Sequence, residues 1–233
     1  ILSGKGGIGK TTLTTNLGYA LTELGKKVTL VDANITTPHL GFHLGIQLAP
    51  KTLHDVLRGD IELRSATYTH PLGFKVIPGS ISVNDLVNVD IGNLKDVTED
   101  LKGTADFVLL DCAPALGKEA VVGMQAVNEV LIVTNPDLPS VADALKTLKL
   151  ARGSGKKVLG AVVNRVKWRA EEMKSWEVED MLGVPVLVEI PEDRNVPKAI
   201  ASKIPILDFA PKSPASTEIR RLAHWMIGKE FTG

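Results

Sequence analysis

Eight residues near the start of the chain, Gly4-Lys5-Gly6-Gly7-Ile8-Gly9-Lys10-Thr11, restrict what this sequence can fold into more than any other stretch. The glycines at 4, 6, 7 and 9 let the backbone take positive φ and approach a ligand closely, so that successive N–H groups converge as an anion-binding nest. Lys10 is placed to reach the β and γ phosphates of a nucleotide, and the Thr11 hydroxyl to hold Mg²⁺. The stretch fits the phosphate-binding pattern G-x-x-x-x-G-K-[ST]; a chance match in a chain of this length is roughly a one-in-a-hundred event at average composition. A helix is expected to follow, because Leu13, Leu17, Ala20, Leu21 and Leu24 recur at helical spacing, and its N-terminal dipole adds attraction for phosphate. A glycine-rich turn that merely caps a helix would explain neither lysine.

The rest of the chain supplies strands for such a loop. After Gly25, a C-cap residue, Lys27 to Asp32 reads as a strand covered on both faces, and Phe107 to Asp111 repeats the pattern. Both end in an acid at a strand's C-terminal end, where ligands of parallel sheets collect. Further strands are predicted at Phe74–Ile77, Val130–Thr134, Lys157–Asn164 and Val186–Ile190. Helices are predicted over Thr52–Arg58, from a Ser140/Asp143 cap onward, over 167–182 with Trp168, Met173 and Trp176, and over Thr217–Ile227. The expectation is one α/β domain over residues 1–233, with a doubly wound, mainly parallel sheet and helices on both faces. Ile1 stands directly ahead of the loop, so the strand feeding it is expected to be truncated, and no signal peptide is visible.

Composition narrows the function classes. Lys plus Arg equals Asp plus Glu at 27 each, so no global field favours nucleic acid or an acidic surface. The single cysteine, Cys112, excludes an internal disulfide and an all-cysteine metal site within one chain, and agrees with a reducing cytoplasm. No run of 18 apolar residues occurs. His39, His43, His54 and His70 have no metal-site spacing and read as surface or structurally satisfied side chains.

Lys5 is the residue that a common phosphate loop does not need. The string Lys5-Gly6-Gly7-Ile8-Gly9-Lys10-Thr11-Thr12 resembles the deviant Walker A motif of the MinD/ParA ATPases, in which the extra lysine reaches across a dimer to the partner's nucleotide. Val31-Asp32-Ala33-Asn34-Ile35-Thr36-Thr37-Pro38-His39-Leu40 looks like the first switch of that family, with archaeal MinD-like proteins the nearest pattern. Cys112-Ala113-Pro114-Ala115-Leu116-Gly117 resembles its second switch, with Gly117 as the pivot whose amide meets the γ phosphate. The resemblance covers nearly the whole chain and implies ATP/ADP and Mg²⁺ as ligands. Asp32 and Asp111 join Thr11 in the Mg²⁺ shell, Asn164 and Arg165 lie at the adenine, and Pro191-Glu192-Asp193 flank the base. One departure matters: many relatives carry Asp-x-Asp where this chain has Asp32-Ala33-Asn34. An amide orients a water but is no base, so slow hydrolysis is expected.

By this resemblance the chain is an ATP hydrolase and ATP-dependent homodimer used for division-site selection or other spatial positioning, stimulated by a protein partner still to be identified. It would sit in the cytoplasm. The apolar stripe Ile219, Leu222, Ala223, Met226 and Ile227 fits either the last core helix, the favoured reading, or a peripheral contact with the inner face of the cell membrane. Three other classes stay open. A ParA-like DNA segregation ATPase is less favoured by the neutral charge, an iron–sulfur carrier by the missing C-x-x-C pair, and a P-loop metabolic ligase by the presence of Lys5.

Overall fold

The computed structural model describes residues 1–114 and 116–231. Helix α1 (Lys10–Glu23) begins where the glycines end and buries Leu13, Leu17, Ala20 and Leu21. The chain continues through β1 (Val28–Ala33), α2 (Leu40–Leu44), α3 (Leu53–Arg58), β2 (Tyr68–Thr69), β3 (Lys75–Ile77), α4 (Leu94–Asp100) and β4 (Phe107–Cys112). Then come α5 (Lys118–Gln125), β5 (Glu129–Thr134), α6 (Leu138–Gly153), β6 (Lys157–Val166), α7 (Ser175–Leu182), β7 (Val186–Pro191), α8 (Asn195–Ala201), α9 (Ile206–Phe209) and α10 (Pro214–Met226).

The strands run in the order β2-β3-β1-β4 in one half and β5-β6-β7 in the other, all parallel except β2 against β3. The first residues of the chain lie between the halves. The Ile1 nitrogen donates to the Leu110 carbonyl at 2.8 Å, Leu2 N–H donates to Leu131 O at 3.0 Å, and Val133 N–H donates to Leu2 O at 2.8 Å. The architecture is therefore the expected α/β fold with a mainly parallel sheet.

Two apolar layers cover the sheet. Val28 and Leu30 of β1 face the layer built on α1, α2 and α8–α10, whereas Val31 and Ala33 face the layer built on α3–α7. In β4, Phe107 and Leu109 take the first side and Val108, Leu110 and Cys112 the second. The two-residue period of a strand then puts Asp32 and Asp111 on the α1 side, and the parallel register pairs them directly. This register sets the site.

Several element ends differ from expectation. The helix expected over 167–182 is confined to Ser175–Leu182, because Trp168 takes a left-handed φ of 54° and the Glu172 carboxylate accepts from the Lys167 and Arg169 N–H groups, closing a loop. Trp168 and Trp176 are exposed on this segment. Helix α6 starts earlier than a Ser140 cap would allow. Asp137 is the cap, accepting from Ser140 N–H at 2.9 Å, and Pro139 occupies the first turn, where its missing N–H costs nothing. Helix α10 likewise starts at Pro214, behind a Ser213 cap.

The α10 stripe lies in the core, with Ile219, Leu222 and Ala223 buried in the layer shared with α1. Arg220 also forms a two-pronged pair with Glu23 at 2.9 and 3.0 Å. Burying one leucine contributes roughly 1.5–3 kcal/mol and a partly exposed ion pair roughly 0–1, so burial holds this helix. Trp225 remains exposed, and no helix among the described residues is long and apolar enough to cross a membrane.

Candidate functional site

The glycine loop is shaped from behind. A Cβ on Gly4 would lie 2.2 Å from the Asp143 carbonyl carbon, so only glycine lets the loop sit against α6. Gly7 and Gly9 take positive φ, 74° and 102°, and Ser3 Oγ donates to Lys5 O at 2.8 Å. Gly6 faces the loop after β4, where a Cβ would meet Pro114 Cγ at 3.8 Å. Ile8 points into the core, anchoring the loop from below.

At the start of α1 three oxygen-bearing side chains converge. Thr11 Oγ1 donates to Asp111 Oδ2 at 2.5 Å, and Leu40 N–H donates to Asp32 Oδ2 at 2.8 Å. The other oxygen of each acid, Asp32 Oδ1 and Asp111 Oδ1, is buried with no hydrogen-bond partner. Burial pushes the Asp32 carboxyl well above the usual carboxylate range, and the neighbouring Asp111 charge adds to this. Burial also raises Asp111, opposed by the Thr11 hydroxyl and the Lys10 ammonium. Lys10 is itself lowered by burial, with Asp111 opposing. An unmet buried acceptor costs about 1–3 kcal/mol. Two such acceptors beside a threonine hydroxyl make a hard-oxygen donor set of the kind Mg²⁺ takes together with water, so these residues fit that ion.

The loop after β1 closes on itself. Asn34 Nδ2 donates to Thr37 O at 2.5 Å, and Thr37 Oγ1 donates to Asn34 Oδ1 at 3.2 Å. Ile35 O accepts from His54 Nε2 at 2.9 Å, while His54 Nδ1 accepts from Ser80 N–H at 3.0 Å, which fixes the tautomer of this buried histidine. Thr36 reaches Glu119, in the first turn of α5.

On the far side of Gly9 lies a cavity of about 280 Å³. Gly9, Thr12, Asn164, Arg165, Pro191, Glu192 and Asp193 all line it, with Val196, Pro197 and Ile200 adding an apolar wall. Asn164 Nδ2 donates to Ile8 O at 2.7 Å, tying the end of β6 to the glycine loop. Asp193 Oδ1 accepts from Asn195 N–H at 2.8 Å, and its Oδ2 is buried without a partner.

The residues singled out in the sequence thus fall in two groups on either side of the glycine loop: Lys10, Thr11, Asp32 and Asp111 at the start of α1, and Gly9, Thr12, Asn164, Arg165 and 191–193 around the cavity. Lys5 is exposed at the surface of the loop. Gly117 caps α5 in an extended conformation with open space around it, so nothing in its conformation demands glycine. Ala115 of the second switch segment lies outside the described residues. Cys112 is buried, and its thiol is pushed up by that burial, which leaves it a small core residue. Sequence reasoning missed Glu119 and the backing of Gly4 by Asp143, neither of which has a local signal; His54, read there as surface or structurally satisfied, is buried with both ring nitrogens bonded.

A family model described as the ParA, NUBPL iron-transfer P-loop NTPase, matches residues 1–227. The chain belongs to the MinD/ParA family of P-loop ATPases. An uncharacterised ATP-binding protein of Methanocaldococcus jannaschii is 36% identical over 231 residues, covering 99% of this chain and 88% of its own length. The septum site-determining protein MinD of Pyrococcus horikoshii, solved with Mg-ADP, is 34% identical with a TM-score of 0.93, over 97% of this chain and 93% of that one. MinD of Aquifex aeolicus, solved in a MinC:MinD complex, is 30% identical with a TM-score of 0.89, over 100% of this chain and 96% of that one. The archaeal members of the MinD/ParA family are thus among its relatives, in line with the resemblance of the switch segments.

Proposed function

We propose that this protein is a slow, Mg²⁺-dependent ATPase whose nucleotide state switches it between monomer and homodimer, and that this switch serves the positioning of cell-division or similar structures. The observation that carries the reading is the set of features around one glycine loop: Lys10 at its end, two buried carboxylates with an unpartnered oxygen each, and a 280 Å³ cavity beyond Gly9. The Mg-ADP in the P. horikoshii relative and the MinC partner of the A. aeolicus relative support it.

In this reading the backbone N–H groups of the nest and Lys10 hold the β and γ phosphates. Thr11, Asp32 and Asp111 would hold Mg²⁺, whose charge would be supplied against that of the phosphates. Water attacks the γ phosphorus, the bond to the bridging oxygen breaks, and ADP and phosphate leave. Positioning and charge neutralisation supply most of the acceleration. Asn34 can orient that water but cannot take its proton, which keeps the rate low. Asn164 and the 191–193 turn enclose the base. The exposed Lys5 is left to reach a partner's nucleotide. The one cysteine is buried, which disfavours the iron-transfer role named for the matching family.

Calorimetry with Mg·ADP tests the site. Lys10→Ala should weaken binding about 10- to 100-fold, the loss of a charge-assisted contact of roughly 1.5–3 kcal/mol. Equal affinity for wild type and variant would overturn the assignment.

A further inference from the structure

The loops after β1 and β4 are joined by one side chain. The two oxygens of Glu119 accept from Thr36, Oε2 from its N–H at 3.3 Å and Oε1 from its hydroxyl, across 83 residues of sequence. Thr36 sits between Asn34 and Thr37, and Thr37 occupies both ends of the Asn34 amide. While that arrangement lasts, one N–H and one lone pair of the Asn34 amide are engaged within the loop and the side chain is buried, which holds it away from an incoming water.

The neighbouring ties of this loop are buried: His54 holds Ile35 O, and Asp32 holds Leu40 N–H. The Thr36–Glu119 contact is exposed. Water competes with it directly, so it is the first of these ties to open. Glu119 also has a second resting place, because a carboxylate in the first turn of α5 is favoured by that helix's own N-terminal amides. The loop leading to α5 carries Pro114, which faces Gly6 of the glycine nest.

We propose that Glu119 is a positioning residue for hydrolysis. Clasping Thr36, it holds Asn34 in its loop-bonded position and brakes the attack of water until that contact opens. This rests on the ATPase reading above.

The test uses Glu119→Ala, Thr36→Val and the double variant. In nucleotide-free protein, the Thr36 amide should exchange with deuterium at least tenfold faster in Glu119→Ala than in wild type, a readout independent of ATP. In steady-state hydrolysis each single variant should raise kcat 3- to 10-fold with KM within twofold of wild type. The double variant should match the singles, because both remove one contact, and adding Asn34→Ala should cancel the gain. Unchanged exchange removes the clasp. Faster exchange with kcat unchanged or lowered, a multiplicative double variant, or a gain that survives Asn34→Ala overturns the brake and leaves the ATPase reading standing. No turnover in wild type or any variant overturns both.

Discussion

Strands β1 and β4 deliver Asp32 and Asp111 to the start of α1, whereas β6 and β7 deliver Asn164 and Pro191 to the cavity beyond Gly9. The first half of the sheet brings charge and leaves it unmet, with Asp32 Oδ1 and Asp111 Oδ1 buried and unpartnered. The second half mostly satisfies itself. Asn164 donates to Ile8 O, Glu192 N–H donates to Val166 O at 2.9 Å, and Lys167 pairs with Glu192 at 2.7 Å. Asn135 Oδ1 and Asp193 Oδ2 are the exceptions among the described residues there. One half stores electrostatic demand that phosphate and cation chemistry can answer, and the other offers a shaped, nearly neutral cavity that selects by fit. The glycine loop belongs to both.

The largest effect is expected where the halves meet. At Gly9 φ is 102° and a Cβ would stand 2.4 Å from Asn164 Nδ2. Gly9→Ala must strain the backbone and break the Asn164–Ile8 tie together, so nucleotide affinity should fall roughly 100-fold and stability by about 1–3 kcal/mol. Calorimetry and urea unfolding check both, and a variant that loses neither would mean that the halves are not coupled through this residue.

A smaller effect separates the halves. Asp32 has a folded-state pKa above its unfolded value, chiefly from burial and then from Asp111. Its contribution to stability is therefore fully present below about pH 4 and is lost as pH rises through the raised value. Metal-free wild type should lose Tm across that rise and Asp32→Asn should lose less, ending roughly 2–6 °C above wild type at pH 8. Asn164→Ala should leave the shape of the pH curve unchanged. Parallel curves for wild type and Asp32→Asn would remove the contrast between the halves.

Much of this could be read in the sequence, for physical reasons. The glycine loop is a local motif, and buried strands ending in acids are contiguous runs, so Asp32 and Asp111 stood out. Their pairing in register did not, since it depends on which strands become neighbours. Asn164 is an unremarkable strand-end residue on its own terms, and only the family resemblance marked it. The Glu119–Thr36 and His54–Ile35 contacts join residues distant in sequence and carry no periodic signal. The helix expected over 167–182 failed in its first half because charged residues at helical spacing do not reveal that Glu172 will fold back on the Lys167 and Arg169 amides.

In the proposed function, nucleotide state sets association, with Lys5 as the bridging charge. Light scattering on purified protein, at concentrations above the nucleotide Kd, with a non-hydrolysable Mg·ATP analogue or with Mg·ADP, tests it most directly. The account predicts a doubled mass for wild type with the ATP analogue alone, and monomer in every condition for Lys5→Ala, which still binds nucleotide. The same wild-type mass with both nucleotides would contradict it.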